Sequence, residues 1–390
     1  MKNACPKKQG TADRFASVKN VMDGRKDMNV KKIVLTGGGT AGHVTPNIAL
    51  IEKLKAEGYE ISYIGSKAGI EKRLIERIGI PYYGVSTGKL RRYLSLKNLS
   101  DIFKVLAGMR QAKKLLKKLK PDVLFSKGGF VAVPVVHAAS KRKIPVVIHE
   151  SDMTPGLANR LCIKKANTVC CNFPETMKYL PEGKSVHTGT PIRKALFEGK
   201  RERGLEIAGF SGEKPILMIM GGSSGAMKIN DAVRSALPTL INKFDIIHLC
   251  GKGRLDESLA ERQGYKQFEY VDEDLKDLFA AADLLISRAG ANAVCELLAL
   301  KKPAILIPLS AAASRGDQIL NAKSFEKAGY SFVLPEEIMT PDTIVEAVEK
   351  VYDERDRYIT AMSKSEAGDA TDKIFSILDG IVDPQKTDNT

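Results

Sequence analysis

Lys32-Ile33-Val34-Leu35-Thr36-Gly37-Gly38-Gly39-Thr40-Ala41-Gly42-His43-Val44-Thr45-Pro46 reads as a buried strand, a glycine-rich turn and the start of a helix. The unbroken apolar run before Gly37 suits a parallel strand covered on both faces. Thr45 followed by Pro46 predicts an N-cap hydroxyl ahead of the helix position that favours proline. The amides of such a turn sit at a helix N-terminus, where an anion is stabilised.

Working outward, the chain continues as an alternation of short β-rich runs and helical patterns. Residues 60–65, 123–126 and 145–149 read as strands, and 71–78 and 133–140 as helices, with Gly58 closing the helix that follows the first turn. Residues 188–203 (Thr-Gly-Thr-Pro-Ile-Arg, then charges) break the pattern and read as a linker. The plan then restarts: a strand at 216–220, a second glycine turn Gly221-Gly222-Ser223-Ser224-Gly225-Ala226, a helix at 230–240, and strands at 245–249, 284–287 and 304–308. Two β-α halves, each opening on a glycine turn, predict an α/β protein of two Rossmann-like doubly wound domains whose parallel sheets face each other across a cleft. The expected boundaries are a disordered extension at 1–29, a first domain at 30–190 and a second at 191–365. Met28, just ahead of the first strand, is a candidate start.

A length of 390 residues with 43% hydrophobic content suits two domains with real cores. Sixty-one Lys and Arg against 46 Asp and Glu, a formal +15, point to an acidic partner. Eleven bases and one acid, Asp101, between Lys89 and Lys120 supply most of that excess. There, Ile102, Val105, Met109, Ala112, Leu116 and Leu119 follow helical spacing and are expected to face the core. Leu90-Arg91-Arg92-Tyr93-Leu94, by contrast, mixes apolar side chains with arginines, as an anionic membrane surface requires; a solvated basic helix is the alternative. No nucleic-acid-binding motif is present. Six cysteines without C-x-x-C or zinc spacing read as reduced thiols, and no run is long and apolar enough to span a bilayer.

Gly37-x-Gly39-x-x-Gly42 matches the dinucleotide fingerprint in form, but the second strand ends Tyr63-Ile64-Gly65-Ser66 without the acid that would hold a ribose. A nicotinamide enzyme is therefore disfavoured. His43 at the edge of the turn is a candidate base for a sugar hydroxyl, with a helix-start cap as its plain alternative. In the second half, Arg288-Ala289-Gly290-Ala291-Asn292-Ala293-Val294-Cys295-Glu296 is a turn opening a helix with a carboxylate one turn in. Its amides, with Arg193 and Ser223, suit a diphosphate, and Glu296 suits a ribose. The turn at Asp317-Gln318 suits sugar hydroxyls or is an ordinary helix cap. Asp272-Glu273-Asp274 spells a D-x-D string but sits where acids open helices for dipole reasons, so no metal and no cofactor are expected.

Together, Gly37 to His43, Lys127-Gly128-Gly129-Phe130, His149-Glu150-Ser151-Asp152, Gly189 to Arg193, Gly221 to Ala226, Ser287 to Gly290 with Glu296, and Gly316-Asp317-Gln318 resemble the ordered signatures of the MurG family. These are bacterial undecaprenyl-diphospho-muramoylpentapeptide N-acetylglucosaminyltransferases. The resemblance covers about residues 30–380. It implies the GT-B fold, with a final helix at about 366–382 crossing back to the first domain, and transfer of N-acetylglucosamine from UDP-N-acetylglucosamine to lipid I at the cytoplasmic face of the membrane. It also implies that Glu296 holds the ribose, Ser223 and Arg193 the diphosphate, Val271 the uracil neighbourhood and Gln318, beside Asp317, the N-acetylglucosamine, with Thr40, Ala41, Gly42 and His43 by the reacting sugar. Gly222, Ser224, Gly225, Arg288 and Gly290 are the further expected phosphate positions. His43 is the first candidate base and Asp152 the second. Some family members carry Asn and Gln where this chain has Asp152 and Asp317, and the Ala311-Ala312-Ala313 tract is featureless for a loop beside a donor site. A UDP-N-acetylglucosamine 2-epimerase and a non-catalytic membrane-bound UDP-sugar sensor are the alternatives.

Overall fold

A computed structural model describes residues 30–88, 96–222, 225–312, 316–365 and 370–384. The expected extension at 1–29, the expected membrane residues Leu90, Arg91, Arg92, Tyr93 and Leu94, the donor residues Ser223 and Ser224, and Ala313 lie outside them.

The first sheet is built from β1 (Lys32–Thr36), β2 (Glu60–Ser66), β3 (Tyr82–Val85), β4 (Val123–Ser126), β5 (Val146–Glu150), β6 (Thr168–Cys171) and β7 (Ser185–His187). All neighbours run parallel, in the order β3-β2-β1-β4-β5-β6-β7. The second contains β8 (Ile216–Met220), β9 (Asp245–Leu249), β10 (Tyr265–Phe268), β11 (Leu284–Ser287), β12 (Ala304–Leu306) and β13 (Phe332–Val333), in the order β10-β9-β8-β11-β12-β13. In each sheet the strand order reverses beside the first strand, between β1 and β4 and between β8 and β11. That is where an open parallel sheet leaves a crevice at its carboxyl ends, and both glycine turns leave from those points. The fold expectation is met.

Burial explains the strands. Ile33, Val34 and Leu35 of β1 and Leu217, Met218 and Ile219 of β8 are sealed on both faces, the pattern of a parallel strand covered by helices. The last helix, Ala370–Val382, returns to the first sheet, where Ile374 and Leu378 pack with Ile33, Leu50 and Leu54. Asp379 accepts there from Lys31 Nζ at 2.6 Å and from the Tyr59 hydroxyl at 2.7 Å.

Three local expectations are corrected. The helix after the first turn is Thr45–Ala56, with Val44 as its N-cap and no side-chain cap; Thr45 is already inside, and Pro46 occupies the first turn without needing an N–H. The stretch 188–203 is not all linker, because its charged end begins the helix Arg201–Ala208, where Gly204 lets the backbone approach the Asp277 carbonyl. In the helix Leu96–Leu119, Ala112 and Leu116 do face the core, but Ile102 is 47% exposed, as are its neighbours Phe103 at 65% and Leu106 at 49%.

Candidate active site

The first glycine turn is filled from within. Glu71, wholly buried in the helix Ile70–Arg77, reaches back so that its Oε2 accepts from the Gly39 amide at 3.3 Å, while Oε1 accepts from the Ser66 amide at 3.0 Å and from the Ser66 hydroxyl. A Cβ on Gly38 would lie 2.5 Å from that carboxyl, so only glycine lets the turn wrap it. A carboxylate already holding a turn amide leaves a poor cradle for phosphate. The missing acid of the dinucleotide fingerprint thus has a physical counterpart: an acid is present, but beneath the turn rather than beside a ribose.

His43 ends the one-turn 3-10 helix Ala41–His43, which follows that turn. Gly129, after β4, has φ +78° and passes so close that a Cβ would sit 2.2 Å from the Gly38 carbonyl oxygen and 3.3 Å from the His43 ring. The two turns nest only because position 129 is glycine. Thr40 and His43 then line a cavity of about 290 Å³ together with Phe130, Glu150 and Asp152. Glu150 holds the far wall, its Oε1 accepting from the Asp152 amide at 2.9 Å and its Oε2 from the Gly156 amide at 3.0 Å and Asn159 Nδ2 at 2.9 Å. Burial outweighs those hydrogen bonds and raises its pKa to about 7.

Beneath the cavity, Lys127 at the end of β4 is fully buried. Its Nζ donates to His149 Nδ1 at 2.7 Å and to the Thr190 hydroxyl at 3.0 Å, and His149 Nε2 donates to the Gly189 carbonyl at 2.7 Å. That bonding describes a neutral imidazole, and burial drives the His149 pKa well below its ordinary value.

Across the cleft, Gly222 and Gly225 have φ +86° and +71°, and the Gly225 amide closes the turn on the Gly222 carbonyl at 2.9 Å. Gly290 caps the helix Ala291–Ala299 without a side-chain cap, so the first amides of that helix have no capping acceptor and can take an anion. Glu296 lies one turn in with Arg193 Nη2 at 4.0 Å from its carboxylate; burial raises its pKa and Arg193 opposes the rise. Gln318 Oε1 accepts from the Leu309 amide at 3.0 Å, and Val271 is half-buried at the edge of the core. The Arg288 guanidinium is turned away to Glu336, 2.5 Å away, and to the carbonyls of Ile307 and Pro308. Glu336 also accepts from Lys228 Nζ at 3.0 Å, so one carboxylate is shared by two cations and holds the Arg288 guanidinium within the second domain.

Among the described residues, several hydrogen bonds and an ion pair cross the cleft. Asn292 Nδ2 donates to the Gly42 carbonyl at 2.8 Å, the Thr154 hydroxyl to Asp317 Oδ1 at 3.4 Å, and the Cys295 thiol to Asn172 Oδ1 at 3.3 Å. Arg77 holds Asp272 at 2.7 Å, which engages the first acid of the D-x-D string. Among the described residues no group of three or more His, Cys, Asp or Glu is arranged to hold a metal ion.

Residues 33–171 match the glycosyltransferase family 28 N-terminal domain and residues 216–374 its C-terminal domain. Over 352 residues the chain is 64% identical to the UDP-N-acetylglucosamine--N-acetylmuramyl-(pentapeptide) pyrophosphoryl-undecaprenol N-acetylglucosamine transferase of Lachnoclostridium phytofermentans, covering 90% of this chain and 99% of that protein. The chain belongs to the MurG family of glycosyltransferases. A Clostridium novyi relative of the same name is 57% identical, again over 90% of this chain and 99% of its own length. Among solved structures, the crystal structure of Acinetobacter baumannii MurG superimposes with a TM-score of 0.70 at 26% identity, covering 89% of this chain and 98% of the other. A putative UDP-N-acetylglucosamine 2-epimerase from Listeria monocytogenes shares the fold, with a TM-score of 0.66 at 12% identity over 91% and 97% of the two chains.

Of the residues singled out from the sequence of this family member, Thr40, His43 and Asp152 meet around one cavity, and Arg193, Glu296 and Gly290 cluster opposite. Sequence reasoning missed Glu71, Lys127, Glu150 and Asn292 as working positions. Lys127, Glu150 and Asn292 stood within quoted motifs and Glu71 at the start of the helix read at 71–78, but the carboxylates and the amine act through burial, and Asn292 through a partner 250 residues away.

Proposed function

We infer that this chain moves N-acetylglucosamine from UDP-N-acetylglucosamine to the C4 hydroxyl of undecaprenyl-diphospho-N-acetylmuramoyl-pentapeptide, with inversion and release of UDP. The observation that carries the reading is 64% identity along 99% of a transferase whose name states both sugars and the lipid diphosphate. Two unlike half-sites support it: a cavity lined by an imidazole and two carboxylates on one side, and helix amides without a side-chain cap, with a ribose-suited carboxylate, on the other.

In this reading His43 takes the proton of the attacking hydroxyl, with Asp152 as the second candidate, because inversion needs a base on the acceptor side. The amides after Gly221 and Gly290, with Arg193, stabilise the charge developing on the leaving diphosphate. Glu296 accepts from the ribose hydroxyls, Val271 borders the uracil, and Gln318 and Asp317 lie by the sugar.

The enzyme works at the anionic cytoplasmic face of the bacterial membrane, which it touches peripherally. None of the described helices is long and apolar enough to cross a membrane. Ile102, Phe103 and Leu106 are exposed on a helix that also carries Lys104, Arg110, Lys113, Lys114, Lys117 and Lys118, the pairing of apolar and basic side chains that anionic lipid selects. The residues 90–94 expected to touch lipid precede that helix directly.

The test is incubation with UDP-N-acetylglucosamine, with and without a lipid I analogue, following UDP and UDP-N-acetylmannosamine together. Lipid-dependent release of UDP is expected, with turnover strongly lowered in His43→Ala and UDP binding weakened in Glu296→Ala. Epimer formed without acceptor, or binding without turnover, overturns the reading.

A further inference from the structure

The helix Ala291–Ala299 presents its functional groups unevenly. Asn292 and Glu296 are four residues apart and therefore neighbours on one face, and Cys295 lies three residues after Asn292. Glu296 looks to the nucleotide half with Arg193, whereas Asn292 and Cys295 both reach into the other domain. Of these two, Asn292 makes the shorter contact, Nδ2 to the Gly42 carbonyl at 2.8 Å, and Gly42 immediately precedes His43. The two sides meet in ordinary van der Waals contact: a Cβ on Gly42 would lie 3.5 Å from Asn292 Nδ2 and 3.8 Å from the Thr40 hydroxyl. The Asn292 Oδ1 is buried with no hydrogen-bond partner. Turning the amide over would set that oxygen against the Gly42 carbonyl, so the bond to Gly42 dictates the orientation even though Oδ1 is left unsatisfied.

We propose that Asn292 is a positioning residue for sugar transfer, docking the helix that holds the donor onto the turn that carries His43. The amide acts through Gly42 and touches neither the base nor the nucleotide. With the donor diphosphate at the amides after Gly290 and the ribose on Glu296, the same helix carries the anomeric carbon. A fixed bond from its first turn to Gly42 therefore sets the separation between that carbon and the hydroxyl deprotonated beside His43. An error of about 1 Å in such a separation costs on the order of a hundredfold in rate. The proposal rests on the transferase reading above.

Two measurements on the full chain test it. In steady-state transfer to a lipid I analogue, Asn292→Ala is expected to lower kcat on the order of tenfold or more while the Kd for UDP stays within about twofold, the signature of an interaction used after binding. Asn292→Gln, which keeps a donor on a longer arm, should recover part of the loss, and the two variants should share the wild-type Tm. Separately, UDP alone should slow amide exchange across residues 39–47 in the wild type and not in Asn292→Ala. Wild-type kcat in Asn292→Ala, a parallel loss of UDP affinity, or exchange slowed equally in both proteins overturns the proposal. If the wild type transfers no sugar, the transferase reading falls, and the exchange experiment still decides whether Asn292 couples the two turns.

Discussion

Lys127 Nζ stands 2.7 Å from His149 Nδ1, two fully buried basic side chains sharing one hydrogen bond at the floor of the cleft. The pair works because neither needs to be charged: burial lowers the lysine from its ordinary 10.5 to about 7, and the imidazole stays neutral. Lys127 also reaches Thr190, and His149 reaches Gly189, so together they fasten β4 and β5 to the strap joining the domains. Between pH 7 and 10.5 the unfolded chain keeps a proton that the folded chain has released, so stability gains with rising pH across that window. Lys127→Met removes the titration. Urea midpoints at pH 7 and 9 should show wild type gaining on the Met variant as pH rises; a constant gap would mean that Lys127 is not depressed.

Glu150 titrates in the opposite sense. Its folded pKa of about 7 stands above the ordinary 4.5. Between those values the folded chain holds a proton that the unfolded chain has lost, so this stability is fully present below 4.5 and disappears as pH rises through 7. Glu150→Gln is neutral throughout and has one acceptor oxygen for the three donors that Glu150 serves. Its Tm deficit against wild type should therefore be larger at pH 5 than at pH 7.5, and turnover should fall because the Asp152–Gly156 wall loses its anchor. A deficit that grows with pH would contradict this.

Phe103 and Leu106 are large apolar side chains facing water amid lysines. Full burial of such a side chain is worth roughly 1.5–3 kcal/mol, so changing both to Ser should weaken sedimentation with phosphatidylglycerol vesicles by about tenfold or more. Because both are exposed, Tm should scarcely move. Vesicle binding unchanged in the double variant would move the membrane contact elsewhere.

Much of the architecture was legible along the chain. The apolar runs of β1, β4, β8 and β11 are buried on both faces, and a parallel strand in that setting needs little more than hydrophobicity and a glycine to end it. β3, β7, β10 and β13 went unread because they are short edge strands with half-exposed residues, where composition carries little signal and pairing to a neighbour decides. The exposure of Ile102 escaped periodicity for a related reason. Spacing names the face of a helix but not how far along that face the neighbouring layer extends.

The sequence by itself determined the two-domain plan, the glycine turns at its crevices and the family, because glycine, burial pattern and ordered motifs are local properties. Only the tertiary structure decided which groups are spent and which are available. Glu71 consumes an amide of the turn that resembled a phosphate loop, Glu336 holds both Arg288 and Lys228, and Glu150 joins His43 and Asp152 around one cavity. Asn292 closes the distance to Gly42 from the other domain. Hydrogen bonds and desolvation depend on separations of a few ångströms between residues far apart in the chain, and no local pattern encodes those.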